Sequence, residues 1–276
     1  TYPVTYVDAI DATRAEYKTD YIVLREQPDG GYAGVYEITQ QQYQQVMGTN
    51  PSYFPGNPVR PVERVSWNTL TGSGSYGSGF ISVLRTKAGL SNIDLPTSEG
   101  WEYTCRAGAT NDLNDYALNS GLGGVGSSSP DPILDNLGWY NSNSISETHD
   151  VCGKQPNAWG LYDMHGNARE WTLTLYGPNR IVRGGGYSSS ASTCRSGSVF
   201  DMDPTVYVMN VGARLVVPPV QSIIHPSFIQ TNTTATLLGI IADGTSEGEG
   251  EPVEGEGEPV EGEGEGEGEG EPVEGE

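Results

Sequence analysis

Few residues of this chain are of types that do chemistry, and their spacing removes most of the familiar options. The three cysteines, Cys105, Cys152 and Cys194, are too far apart for any two to share metal-ligand spacing, and they match neither a disulfide-dense scaffold nor a zinc site. His149, His165 and His225 are equally scattered, as structural histidines are. Ser188, Ser189, Ser190 and Ser192 gather hydroxyls, yet no Gly-x-Ser-x-Gly turn surrounds them and no paired base is at hand, which argues against a hydrolase. Gly184, Gly185 and Gly186 lack the helix and lysine of a phosphate cradle. There remains the stretch 157–171, NAWGLYDMHGNAREW, where Asp163 and Glu170 sit among glycines, asparagines and large aromatics. Gly160, Gly166 and Asn167 favour turns and left-handed backbone, while Trp159, Tyr162 and Trp171 favour burial. An irregular but ordered loop is therefore expected.

Positioning such a loop requires a folded domain, and composition marks where that domain ends. From Glu247 onward only Glu, Gly, Pro and Val appear, in variants of EGEPVEGE. That stretch holds 14 of the 36 acidic residues and none of the 14 basic ones, so the net charge of −22 becomes −8 without it. Its apolar surface is too small to offset an ordering cost of roughly 1–2 kcal/mol per residue, and its like charges repel. A disordered, extended spacer is expected, with weak calcium chelation by the glutamates as the alternative. So acidic a chain disfavours nucleic acid as a partner. No run approaches the ~18 apolar residues that a membrane span needs. The chain begins at Thr1 rather than Met, as a processed product or a fragment does, which leaves a leader upstream or an anchor downstream open.

Stretches 19–26 and 31–38 read as strands rich in Tyr, Val and Ile. Thr39 caps a helix over QQQYQQVM that Gly48 stops before an Asn-Pro turn. PVERVSW, 61–67, alternates like a strand, and helical spacing returns at Phe80, Val83 and Leu84 after a glycine-rich break. Thr97 caps a helix carrying Glu99, Trp101, Glu102 and Arg106. Residues 109–146 are rich in Gly, Ser, Asn and Asp, anchored by Trp139 and Tyr140, and RIVRGGGY and VGARLVV read as closing strands. The expectation is a mixed α+β domain of short elements and long pinned loops, where binding sites usually lie. Its organisation reads as a lead-in over 1–20, a domain over 21–217, a linker over 218–245 and a disordered repeat tail over 246–276.

The ordered segments YEITQQQYQQVMGTNPSYF, PVERVSW, LPTSEGWEYTCRAG, PNAWGLYDMHGNAREW, RIVRGGGY and NVGARLV resemble the formylglycine-generating enzyme family, also called sulfatase-modifying factor domains. The resemblance implies a variant of the C-type-lectin fold poor in regular secondary structure. It also implies a structural calcium site, with Asp163 and Glu170 as side-chain ligands and Gly166 and Ala168 as backbone ones. Calcium takes six to eight hard oxygens, which two carboxylates and exposed carbonyls help to supply, and the alternative is a metal-free loop whose acids cap local amides.

The family's enzymes hold copper(I) between two cysteines five residues apart and use oxygen to convert a client sulfatase's cysteine to formylglycine. In the resemblance the first cysteine falls on Cys194 and the second on Val199, so one soft ligand is missing and copper is disfavoured. A non-catalytic binding module, extracellular or on the cell surface, becomes the first reading. It would hold an unknown protein or glycan on Tyr187, Ser188, Ser190, Arg195, Asp201 and Tyr207, with a copper oxidase and a hypervariable ligand-binding protein as alternatives. The family also packs the helix of Cys105 beneath the closing strands that Cys194 enters, which leaves a Cys105–Cys194 disulfide and three reduced thiols both open, with Cys152 a small buried residue.

Overall fold

Capping chemistry sets the helices where short-range sequence signals are strong. In the computed structural model, which describes residues 4–7, 10–74, 77–110, 131–219 and 239–243, helix α2 (Gln40–Met47) begins at a full capping box. The Thr39 hydroxyl accepts from the Gln42 amide, and the Gln42 side chain accepts from the Thr39 amide. The helix ends at Gly48, whose φ of 77° is left-handed. Ser66 and Thr97 cap α3 (Trp67–Thr71) and α5 (Ser98–Arg106) in the same way, and Gly79 precedes α4 (Phe80–Ala88). Helices α1 (Ala15–Thr19) and α6 (Leu134–Leu137) are single turns.

Two sheets hold these helices. One runs in the order β1 (Val4–Val7), β9 (Gly239–Asp243), β2 (Tyr21–Glu26), β3 (Tyr32–Gly34), β8 (Val216–Val217); β9 is parallel to both of its neighbours, and the other pairings are antiparallel. The other runs β6 (Phe200–Met202), β5 (Asn179–Arg183), β4 (Arg169–Tyr176), β7 (Val211–Gly212). Strand β9 falls inside the stretch read from sequence as linker. The core takes Ile22 and Leu24 from one sheet, Trp171 and Val182 from the other, and Tyr43, Leu70, Phe80 and Leu84 from the helices. Tyr43 and Phe80 stack with centroids 5.2 Å apart.

One expected strand is shorter than read and another is absent. The strand expected over 31–38 ends at Gly34, beyond which the Val35 carbonyl accepts from the Tyr162 amide and the Ile38 amide donates to the Ala213 carbonyl. PVERVSW forms no strand: Pro61 makes a single bridge to Thr39, and Arg64 is left-handed at φ 60°, which breaks extended pairing. The chain divides into a unit Thr1–Gly244 and a unit Thr245–Glu276; the latter, with the expected disordered tail, lies outside the described residues, as do His225 and 111–130. Among the described residues no helix is long and apolar enough to cross a membrane.

Candidate functional site

The aromatic, glycine-rich loop of 157–171 is tied down from both ends. Asn157 donates its amide to the carbonyls of Thr104 and Cys105 at the end of α5, and its side-chain oxygen accepts from the amides of Trp159 and Leu161. Gly166 lies against the Trp139 backbone so closely that a Cβ there would come within 2.3 Å of the Trp139 carbonyl oxygen. Asn167, left-handed at φ 65°, spends its side chain on the backbone of His149 and on the Glu37 carboxylate.

Beneath the loop lies a buried charge cluster. Arg214 donates to both oxygens of Glu170 and to the carbonyls of Gly34 and Tyr162. Trp101 Nε1 completes the Glu170 shell at 2.6 Å, and Glu37 accepts from the Ala168 amide at 2.8 Å. Three buried carboxylates, Glu37, Asp163 and Glu170, thus face one guanidinium. Burial, with the other two carboxylates adding to it, pushes Glu37 well above the ordinary range, and burial likewise raises Asp163. The arrangement welds β4, β8's approach, the hairpin of β2 and β3, and the loop to one point.

The proposed calcium ligands fit an ion only in part. Asp163 accepts the Cys152 amide on Oδ2, and its buried Oδ1 has no hydrogen-bond partner. Glu170 has both oxygens committed to Arg214 and Trp101, so a cation reaching it would displace the guanidinium. No cluster of three or more His, Cys, Asp or Glu able to hold a metal occurs among the described residues.

The copper position does not fit copper. Cys194 is 0% exposed, and burial pushes its thiol up to about 12, with the nearby Arg169 pulling the other way. Five residues on, Val199 is 48% exposed and brings no sulfur. None of the three cysteines is in a disulfide, so the Cys105–Cys194 bridge is not formed. His165 lies between the two: its Nδ1 is 2.8 Å from the Cys194 carbonyl oxygen and its Nε2 is 3.8 Å from the Cys105 sulfur. A carbonyl only accepts, so Nδ1 donates to Cys194, while the single proton of the Cys105 thiol has the Met164 carbonyl at 3.9 Å within its reach.

The six residues read as ligand contacts follow the chain from the turn after β5 to the approach to β7, but they are not equally available. Tyr187 is 5% exposed, its ring edge-on to Phe54 at 5.3 Å, so it supports the surface from below. Ser188 is exposed and accepts from Asn210; Ser190 meets Ser192; Arg195 is half-buried. Asp201 accepts from Asn179, and Tyr207 shares a hydrogen bond with Thr69 across to α3. Trp101 was read only as a helix residue, and Glu37 and Arg214 were not singled out from sequence; the available signal for those two was a charge inside an otherwise apolar strand pattern, YEI and ARLVV.

Residues 2–218 match the sulfatase-modifying factor enzyme 1-like domain. The chain belongs to that family. It is 29% identical over 230 residues to the chaperone protein LppX of Paenibacillus barcinonensis, covering 67% of this chain and 78% of that one. It is 24% identical over 233 residues to the formylglycine-generating enzyme of Bos taurus, covering 68% of this chain and 58% of the enzyme, less than two thirds of its length. Treponema denticola variable protein 1 superposes with a TM-score of 0.53 at 26% identity, over 68% of this chain and 84% of that one. PvdO from Pseudomonas aeruginosa superposes with a TM-score of 0.54 at 19% identity, over 68% and 80%, and that likeness speaks to fold alone. The fold is the formylglycine-generating-enzyme variant of the C-type-lectin architecture, mixed and low in regular secondary structure.

Proposed function

We propose that this sulfatase-modifying factor domain is a non-catalytic binding module that works outside the cell or at its surface. It holds a protein or glycan on the face formed by Ser188, Ser190, Arg195, Asp201 and Tyr207. The observation that carries the reading is the buried, protonated thiol of Cys194 paired with Val199 where a second sulfur would be needed. Relatives named a chaperone and a variable protein support a role in holding partners. The test is aerobic incubation of the full chain with copper and a cysteine-containing sulfatase peptide, followed by mass spectrometry. No thiol-to-aldehyde conversion is expected; conversion by the unaltered protein would reinstate the oxidase. Val199→Cys restores the spacing of five and is expected to raise copper affinity without turnover.

Calcium is the second reading of the loop, favoured by the unpartnered Oδ1 of Asp163. Asp163, Glu170 and the carbonyls of Gly166 and Ala168 would hold the ion, with Glu170 released from Arg214. A native-state ligand stabilises by mass action, so added calcium would raise the melting temperature of the wild type and leave Asp163→Ala unmoved. An equal response in both proteins removes the assignment.

A further inference from the structure

Among the described residues, the guanidinium of Arg169 has no carboxylate to answer it, and it lies under the Ser188–Tyr207 face. Arg169 opens β4, is half-buried, and reaches across the sheet to Phe200 of β6, its guanidinium carbon 4.0 Å from the ring centre. Nη2 donates to the Ser189 hydroxyl oxygen at 3.2 Å, while Nε is buried without a partner. Burial pulls the guanidinium below its ordinary range, and what opposes that pull is the sulfur of Cys194 rather than any carboxylate. The acids next to it in sequence and in the sheet are turned away and occupied. Glu170, on the opposite face of β4, is held by Arg214 and Trp101, and Asp201, which alternates with Phe200 along β6, accepts from Asn179.

The polar groups around Arg169 have the same imbalance: donors outnumber acceptors. Ser189 Oγ accepts from Arg169 and from the Gly186 amide at 2.9 Å, and its own proton passes to no acceptor among the described residues. Ser188 is exposed, accepts from Asn210 Nδ2 at 3.1 Å, and leaves its proton uncommitted in the same sense. The Arg169 amide donates to the Asn210 carbonyl at 2.8 Å, which ties β4 and the approach to β7 together at this point. The result is a set of N–H and O–H groups converging beside one positive charge. Such a set complements an oxyanion, and a guanidinium is the side chain whose planar fork suits one. The chain selects against more than one negative charge on the ligand. Its net charge is −22, and −8 without the residues from Glu247 onward, so a polyanion is repelled at a distance while a single anionic group answers to the local donors.

We propose that Arg169, the hydroxyls of Ser188 and Ser189 and the side-chain amide of Asn210 form an oxyanion subsite, and that the ligand of this face carries one carboxylate, sulfate or phosphate group seated there. The inference rests on the reading of this face as a binding surface and adds the charge of what it binds.

The experiment follows the Arg169 Nε–H signal by nitrogen NMR in the full chain, during titration with sodium sulfate, sodium phosphate or sodium acetate, each against sodium chloride at equal ionic strength. The signal is assigned by its absence in Arg169→Lys or, if that variant fails to fold, by its shift in Ser188→Glu. A saturable shift is expected with at least one oxyanion and not with chloride. Sulfate or phosphate ahead of acetate marks a tetrahedral group, and the reverse order marks a carboxylate. Ser188→Glu, a change at an exposed position, sets a carboxylate against the same donors and should weaken the oxyanion about tenfold or more. The proposal is overturned by no saturable shift with any of the three, by an equal shift with chloride, or by equal affinity in Ser188→Glu. Thiol-to-aldehyde conversion by the unaltered protein would overturn the non-catalytic reading and leave the oxyanion titration standing, so the two failures are told apart.

Discussion

Glu63 is a carboxylate in the wrong solvent, and its cost should be measurable as a slope of stability against pH. It is 0% exposed, Oε1 accepts from the Phe54 amide at 3.0 Å, and Oε2 has no hydrogen-bond partner. Burial pushes its carboxyl from the ordinary 4.5 up to about 7, against the opposing pull of the Phe54 and Tyr53 amides and of Arg64. The folded state therefore holds the proton more tightly than the unfolded chain. Stability is undiminished by this group below the unfolded value, falls as pH rises from about 4.5 to about 7, and is level above that. At 1.36 kcal/mol per pH unit the full effect is about 3 kcal/mol, of which roughly 2.5 falls between pH 5 and pH 8. Glu63→Gln keeps the shape and the Oε1 acceptor and removes the titration. In urea unfolding the variant should resemble wild type at pH 5 and exceed it by about 2–3 kcal/mol at pH 8. Glu37 and Asp163 titrate in both proteins and cancel in the comparison. Identical pH slopes for wild type and Glu63→Gln would refute the argument.

Arg214→Met leaves Glu170 buried beside Trp101 without its counter-charge, and the loss should be about 3–5 kcal/mol by chemical unfolding at pH 7. A loss under about 1 kcal/mol would show that water reaches Glu170. Thr39→Ala removes the capping-box acceptor of α2 and should cost about 1 kcal/mol, read as a lower urea midpoint with unchanged slope.

Legibility in the sequence tracked the range of the interactions involved. Helix α2 was readable in full, because Thr39, Gln42 and Gly48 settle its ends within a short local stretch from Thr39 to Gly48. The cap of α5 at Thr97 and the strand β5 were readable for the same reason. The strand expected in PVERVSW was not there, since the left-handed Arg64 is fixed from outside by its amide donating to the Val208 carbonyl. The loop of 157–171 was recognisable from its glycines and aromatics. What it packs on was not: Glu37 and Arg214 reach it from far along the chain, and nothing near them in sequence names their partner. Tyr187 looked like a surface residue by type, and only the position of Phe54 turns it inward.

Strand β9 gives the domain an order of assembly. Val4 aligns with Ile240 and Tyr21 with Gly239, so β1 meets β2's sheet only through a strand supplied near the far end of the unit. A chain growing from its N-terminus can form the β2–β3 hairpin and cap its helices early. It must wait for residues 239–243 before the gap between β1 and β2 closes. Until then both facing edges present unpaired amides and carbonyls, the kind of edge that captures stray strands. A nascent or truncated chain therefore offers a two-sided slot to any extended segment that reaches it first, and a second copy carrying its own residues 239–243 is the segment best matched to fill it.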